Sequence, residues 1–117
     1  TQRIQQLKSF LTIGLDTDLH RIPDFLKKEK NPLLTFNKAI IDATKDVCVA
    51  YKINTAFYEA QGLLGWEAMA ETVKHIGGRH FIIADAKRGD IGNTSSLYAQ
   101  AFFDQMDFDA ITVAPYM

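Results

Sequence analysis

The chemistry-bearing stretch of this chain is Ile82 to Thr94, IIADAKRGDIGNT. A short apolar run leads directly into Asp85, Lys87, Arg88 and Asp90, so two acids and two bases fall within six positions. Two further charged residues belong to apolar runs of their own: Asp16 ends LTIGLD, and Lys52 lies near the end of CVAYKIN. Alternating Lys and Asp nearly cancel, so such an array leaves water at lower cost than an isolated ion. A lysine held between carboxylates stays protonated, because opposite charges favour its charged form. It can stabilise a carbanion as that charge develops and then protonate it.

Other chemistries fit less well. No nucleophile–base pair is evident, and His20, His75 and His80 do not lie where strands end, which argues against a histidine-centred mechanism. His75 is expected on a helix surface near its C-terminus, where a cation suits the dipole. Asp16, Asp85 and Asp90 form a candidate cation set, but the interleaved lysines argue against it, and no metal site is expected. Gly89-Asp90-Ile91-Gly92 lacks the glycine pattern of a dinucleotide loop. Arg88-Gly89-Asp90 matches an adhesion tripeptide in letters only. Phe57, Tyr58, Phe102 and Phe103 are read as core or interface residues.

These charges need elements to place them, and the sequence supplies an alternation. Ile4, Leu7 and Leu11 recur at helical spacing. LTIGLD (11–16) reads as a first strand, followed by a polar stretch, 17–31, with at most one helical turn. Asn31-Pro32 is an N-cap followed by proline at the first helical position. Leu33, Phe36, Ile40, Ala43 and Val47 then form an amphipathic stripe. CVAYKIN (48–54) is the second strand. Trp66, Met69, Ala70, Val73 and Ile76 mark the next helix, stopped by Gly77-Gly78. HFIIAD (80–85) is the third strand. Asn93, Thr94 and Ser95 offer a cap for a helix carrying Leu97, Ala101 and Phe102. AITVAP (110–115) is the fourth strand.

Strand–helix alternation implies a parallel sheet of right-handed βαβ units. The strands start about 37, 32 and 30 residues apart, against about 31 per unit in a (β/α)8 barrel of about 250 residues. The spacing favours an α/β fold in which this chain, taken as a single domain over 1–117, supplies roughly the first four βα units of a TIM barrel. A complete small open α/β sheet is the alternative. Asp85 and Lys87 face one way if the extended backbone continues between them. In barrels and open sheets alike, ligands bind where strands end. Three such ends deliver Asp16, Lys52, Asp85 and Lys87 together, with Asp90 in the loop beyond. Solvated rim salt bridges, worth only ~0–1 kcal/mol each, are the plainer reading of any one pair.

The bulk numbers set bounds. The chain has 117 residues and is 47% hydrophobic and 23% charged, ordinary for a globular domain. A net charge of −1 gives no broad electrostatic case for nucleic acid or an anionic membrane. No apolar run reaches the ~18 residues of a membrane span, and the first residues carry no secretory pattern. Cys48, between Val47 and Val49, is the only cysteine. That excludes an internal disulfide and suits a buried structural thiol. A cytoplasmic location is the expectation.

DAKRGDIGNT resembles the Asp-x-Lys-x-x-Asp signature of orotidine 5′-phosphate decarboxylases. IGLDTD, FNKAIIDAT, YKINTAFYEAQG and ITVAPYM resemble the longer bacterial subgroup, so the likeness covers nearly the whole chain. The core signature is shared with related sugar-phosphate lyases and decarboxylases, and the full set is more specific. The resemblance implies a barrel, a homodimer, and conversion of orotidine 5′-monophosphate to uridine 5′-monophosphate without metal or organic cofactor. It implies that Asp16 holds the ribose hydroxyls and that Lys52 is the first lysine of the network. Asp85 would lie beside the substrate carboxylate, and Lys87 would protonate the C6 carbanion. Asp90 would enter the neighbouring subunit's site, accompanied by Thr94. Nothing here matches the family's phosphate-gripping loop and its arginine, so the 117-residue chain by itself is expected to be inactive and, with open strand edges at LTIGL and AITVA, poorly soluble. A same-fold sugar-phosphate decarboxylase or aldolase is the rival; it would require a metal-ligating carboxylate where Lys52 and Asn54 stand. A non-catalytic half-barrel binding module is the rival of a different class.

Overall fold

The computed structural model describes residues 1–116; the last residue of the ITVAPYM segment lies outside the described residues. Four strands form one parallel sheet in the order β1-β2-β3-β4. They are β1 (Thr12–Gly14), β2 (Ala50–Asn54), β3 (Phe81–Arg88) and β4 (Ala110–Val113). Between them run α1 (Gln2–Leu7, before β1), α2 (Pro32–Thr44), α3 (Thr55–Glu59), α4 (Gly62–Ile76) and α5 (Gly92–Ala99), the last continuing as a π-helical turn, Gln100–Gln105. Sequential order, parallel pairing and intervening helices are those of a partial (β/α)8 barrel, as the strand spacing predicts.

One face of the sheet is covered by helices. Tyr51 and Ile53 of β2 and Ile82, Ala84 and Ala86 of β3 alternate into a core with Leu15, Leu33, Ile41, Met69, Val73, Ile76, Phe102 and Phe108. The opposite face carries Lys52, Ile83, Asp85 and Lys87, none of them fully buried. Period-2 alternation thus sorts the apolar side chains to the helices and the charges to the other side. Cys48 is buried and free, as its neighbours suggest. No helix among the described residues is long and apolar enough to cross a membrane.

Several elements differ from the sequence reading. The buried face of α2 is Leu33, Asn37 and Ile41, so the stripe is rotated, with Val47 55% exposed beyond the helix end. The cause is a buried polar network that apolar periodicity does not reveal. Asn37 Nδ2 donates to Tyr58 Oη at 2.8 Å and to Thr72 Oγ1 at 3.0 Å, and Thr17 Oγ1 donates to Asn37 Oδ1 at 2.5 Å. In α4 the core face is Gly65, Ala68, Met69, Thr72, Val73 and Ile76; Trp66 stands on its margin, and the helix starts at Gly62. Gly65 is required by close approach: a Cβ there would lie 1.7 Å from Tyr58 O. The short helix α3 has no counterpart in the sequence reading. It is nucleated by Asn54, whose side chain accepts from Ala56 N at 3.2 Å, a cap hidden at the end of a strand. α5 begins at Gly92 with Ile91 at the cap position and no side-chain cap, so Asn93, Thr94 and Ser95 lie inside the first turn rather than before it. Gly92 has φ +53 and makes the entry that Asn, Thr or Ser would have capped.

Candidate active site

Parallel register explains how the charges meet. Lys52 pairs with Gly14 on β1 and with Ile83 on β3. Asp16 and Asp85 each lie two residues beyond those partners, about 6.6 Å further along the strands. The flexible stem of Lys52 spans that rise, so its ammonium reaches between the two carboxylates. Nζ lies 3.4 Å from Asp16 Oδ1 and 3.2 Å from Asp85 Oδ2. Lys87 Nζ lies 2.5 Å from Asp85 Oδ1. The result is an unbroken line, Asp16–Lys52–Asp85–Lys87, across the mouth of three strands.

Asp85 is the centre and the most enclosed member, its side chain 14% exposed against 35% for Lys52, 42% for Asp16 and 65% for Lys87. Its carboxyl is depressed to about 2. The hydrogen bond from Lys87 is the main cause, working against burial and aided by Thr112 and Lys52. For Lys52, burial alone would lower the ammonium, but the hydrogen bond to Asp85 and the charge of Asp16 outweigh it and raise the group above its ordinary value. The line therefore stays fully charged near neutral pH at its two inner members.

The route by which Lys87 reaches Asp85 departs from the sequence reading. The backbone does not continue extended: Lys87 has φ 47, a left-handed conformation that costs a non-glycine residue roughly 1–2 kcal/mol. There β3 carries two extra residues relative to β4, with Ala84 paired to Ile111 and Arg88 to Val113. Thr112 fills the resulting gap in the ladder. Its Oγ1 accepts from Lys87 N and donates to Asp85 Oδ1, both at 3.0 Å. One hydroxyl thus replaces a missing strand hydrogen bond and orients the central carboxylate. Sequence reasoning missed Thr112; its only signal is a lone hydroxyl in an apolar strand beside the charged one.

Asp16 is held from both sides. Tyr58 Oη donates to Leu15 O at 2.7 Å, and burial raises the Tyr58 phenol, keeping it a neutral donor. Thr17 is tied to Asn37. A cleft of about 480 Å³ lies against Asp16, lined among others by Thr17, Asp18, Arg21 and Phe57. A larger concavity, about 680 Å³, lies near Gly77, Asp104 and Asp109. That is the N-terminal end of the strands, away from the line of charges, and we place the site by the charges.

Asp90 and Thr94 are not brought into the line. Asp90 is exposed in the β3–α5 loop, its Oδ1 accepting from Ile91 N at 2.7 Å, and Thr94 is half-buried in the first turn of α5. Among the described residues no cluster of three or more His, Cys, Asp or Glu has the geometry to hold a metal. His75 meets Asp42 at 2.8 Å on the helix surface. His80, just before β3, is buried at the opposite end of the sheet from Asp85, and burial lowers its imidazole.

Comparison with known proteins gives this geometry a context. Residues 11–117 match the model of the orotidine 5′-phosphate decarboxylase / HUMPS family. The chain is 58% identical, over 99% of its length, to the orotidine 5′-phosphate decarboxylase of Phocaeicola vulgatus, and 58% identical over its whole length to that of Christiangramia forsetii. It spans about 44% of the length of these curated relatives. Among solved structures, an orotidine-monophosphate decarboxylase candidate of Toxoplasma gondii superposes with a TM-score of 0.88 at 37% identity, covering 96% of this chain and 38% of that one. The orotidine monophosphate decarboxylase of Leishmania donovani gives 0.81 at 32% identity, covering 99% and 44%. The chain belongs to the orotidine 5′-phosphate decarboxylase / HUMPS family.

Proposed function

We propose that the gene product containing this chain decarboxylates orotidine 5′-monophosphate to uridine 5′-monophosphate, a step of pyrimidine biosynthesis, in the cytoplasm and as a homodimer. The observation that carries this reading is the line Asp16–Lys52–Asp85–Lys87, with an ammonium on each side of one well-desolvated carboxylate. The C6–carboxylate bond breaks, carbon dioxide leaves, and the electron pair stays on C6. Lys87 stabilises that pair and supplies the proton that completes the product. Asp85 lies beside the departing carboxylate, Lys52 fixes Asp85 and Asp16 relative to one another, and Asp16 accepts hydrogen bonds from the ribose hydroxyls. Asp90 and Thr94 complete the site of the neighbouring subunit. Neither a metal nor an organic cofactor takes part.

The exposed position of Asp90, outside its own chain's line of charges, supports a role in another subunit. The same-fold alternative, a metal-assisted sugar-phosphate enzyme, is disfavoured by Lys52, whose ammonium occupies the space between Asp16 and Asp85. The test is formation of uridine 5′-monophosphate from orotidine 5′-monophosphate by the purified full-length product. Turnover that disappears in Lys87→Ala is expected; an inactive wild type, or one active only on a sugar phosphate with added magnesium, would overturn the reading.

A further inference from the structure

Arg88 follows Lys87 directly, yet its side chain leaves the line of charges and enters the helix layer. Its Nη1 donates to Ala86 O at 2.7 Å, and its Nη2 is ion-paired with Glu59 Oε1. The guanidinium carbon lies 5.8 Å from the Tyr98 ring centroid and 5.5 Å from that of Phe102. The Arg88 carbonyl accepts from Ala114 N at 2.9 Å. Neither partner is a rim charge, the side chains being 23% and 29% exposed.

Glu59 ends α3, the helix that begins immediately after β2. One guanidinium therefore ties the end of β3 to the element following Lys52, to α5 through Tyr98 and to the π-helical turn through Phe102. A planar fork between a carboxylate and two aromatic faces is a geometry that lysine does not reproduce. It also sits next to the strained residue. Lys87 is fixed on one side by Thr112, and holding Arg88 fixes the other, so the left-handed turn has no freedom to relax into a regular strand.

We propose that Arg88 and Glu59 are a positioning pair, which holds the Lys87 ammonium against Asp85 from behind the sheet and thereby sets the rate of proton delivery without touching substrate. The proposal rests on the decarboxylase reading. Misplacing a reacting group by about 1 Å costs about 10²-fold in rate, and groups acting as a unit lose their effect together.

The experiment compares the wild-type full-length product with Glu59→Gln, Arg88→Gln and the double variant. Expected are a turnover number at least ten-fold lower in each, a KM within about three-fold of wild type, and a double variant no worse than the worse single. Glu59→Gln preserves shape, so it carries the test if the Arg88 variant does not fold. Hydrogen exchange across residues 86–91 gives a second readout, independent of activity, and should accelerate in Glu59→Gln. Wild-type turnover and unchanged exchange in Glu59→Gln would overturn the proposal, as would losses that simply add in the double variant. A wild type that forms no uridine 5′-monophosphate sinks the decarboxylase reading instead, and the exchange measurement still decides on the pair.

Discussion

Lys87 reaches Asp85, two residues earlier on the same strand, with its ammonium 2.5 Å from Oδ1 while its own backbone is left-handed. The strained turn brings the Lys87 ammonium onto the carboxylate that a regular strand would only have placed nearby. Lys87→Ala in the full-length product is expected to lower turnover by at least the ~10²–10³ lost with a single preorganised donor. Steady-state decarboxylation rates check this, and near-normal turnover would remove Lys87 from its assigned role.

Asp85 sets an acid limit on stability. Its folded carboxyl, at about 2, lies below its unfolded value, so it contributes stability that is fully present above about pH 4 and is lost as pH falls toward 2. Denaturant melts of wild type and Asp85→Asn across pH 2–6 should converge at the acid end, the variant showing the flatter profile. Thr112→Val, which removes a hydroxyl donor but keeps the shape, should raise the Asp85 carboxyl and shift this limb to higher pH.

The proposal that subunits share their sites predicts complementation. Inactive Lys87→Ala and inactive Asp90→Ala subunits, mixed and allowed to exchange, should recover up to about one quarter of wild-type activity, since half the dimers are mixed and each of those has one intact site of two. Mass spectrometry verifies exchange. Verified exchange with no recovered activity would place Asp90 in its own chain's site.

Metal removal should have no effect. Lys52 and Lys87 already neutralise Asp85 from both oxygens, leaving little for a cation to do. Activity after dialysis against a chelator should equal that before; a loss restored by magnesium would favour the sugar-phosphate alternative.

The helix layer should be intolerant of small changes. Gly65→Ala puts a methyl group against the Tyr58 carbonyl and should lower the melting temperature markedly. Asn37→Leu leaves Thr17 Oγ1 without its acceptor and removes the bonds that Tyr58 and Thr72 accept, though these two still donate to Leu15 O and Ala68 O; the unsatisfied buried hydroxyl costs roughly 1–3 kcal/mol. Thermal melts of either variant measure the loss, and a wild-type melt for Asn37→Leu would mean the network is not needed.

The sequence made the sheet legible because strands, turns and charges each leave a local mark: apolar runs with Asp16, Lys52 and Asp85 at or near their ends align once pairing is parallel. What stayed hidden is non-local or concealed by polarity. Asn37 counts against a buried helical face until Tyr58 and Thr72 are seen to meet it. Thr112 is an unremarked hydroxyl until the two extra residues of β3 open a gap opposite it. Arg88 reads as one more charge in a charged stretch, because nothing local says that it turns away from Lys87 toward Glu59.

The line Asp16–Lys52–Asp85–Lys87 alternates in sign and sums to zero. Its field is that of head-to-tail dipoles, which fades faster with distance than the field of a net charge, and salt screens what remains beyond about 8–10 Å. These four residues therefore act at contact and exert little pull on an approaching anion. The capture rate of an anionic substrate, and its dependence on ionic strength, is left to groups elsewhere in the protein. Substitutions in the line that preserve its zero sum should leave the salt dependence of kcat/KM largely unchanged even where turnover collapses.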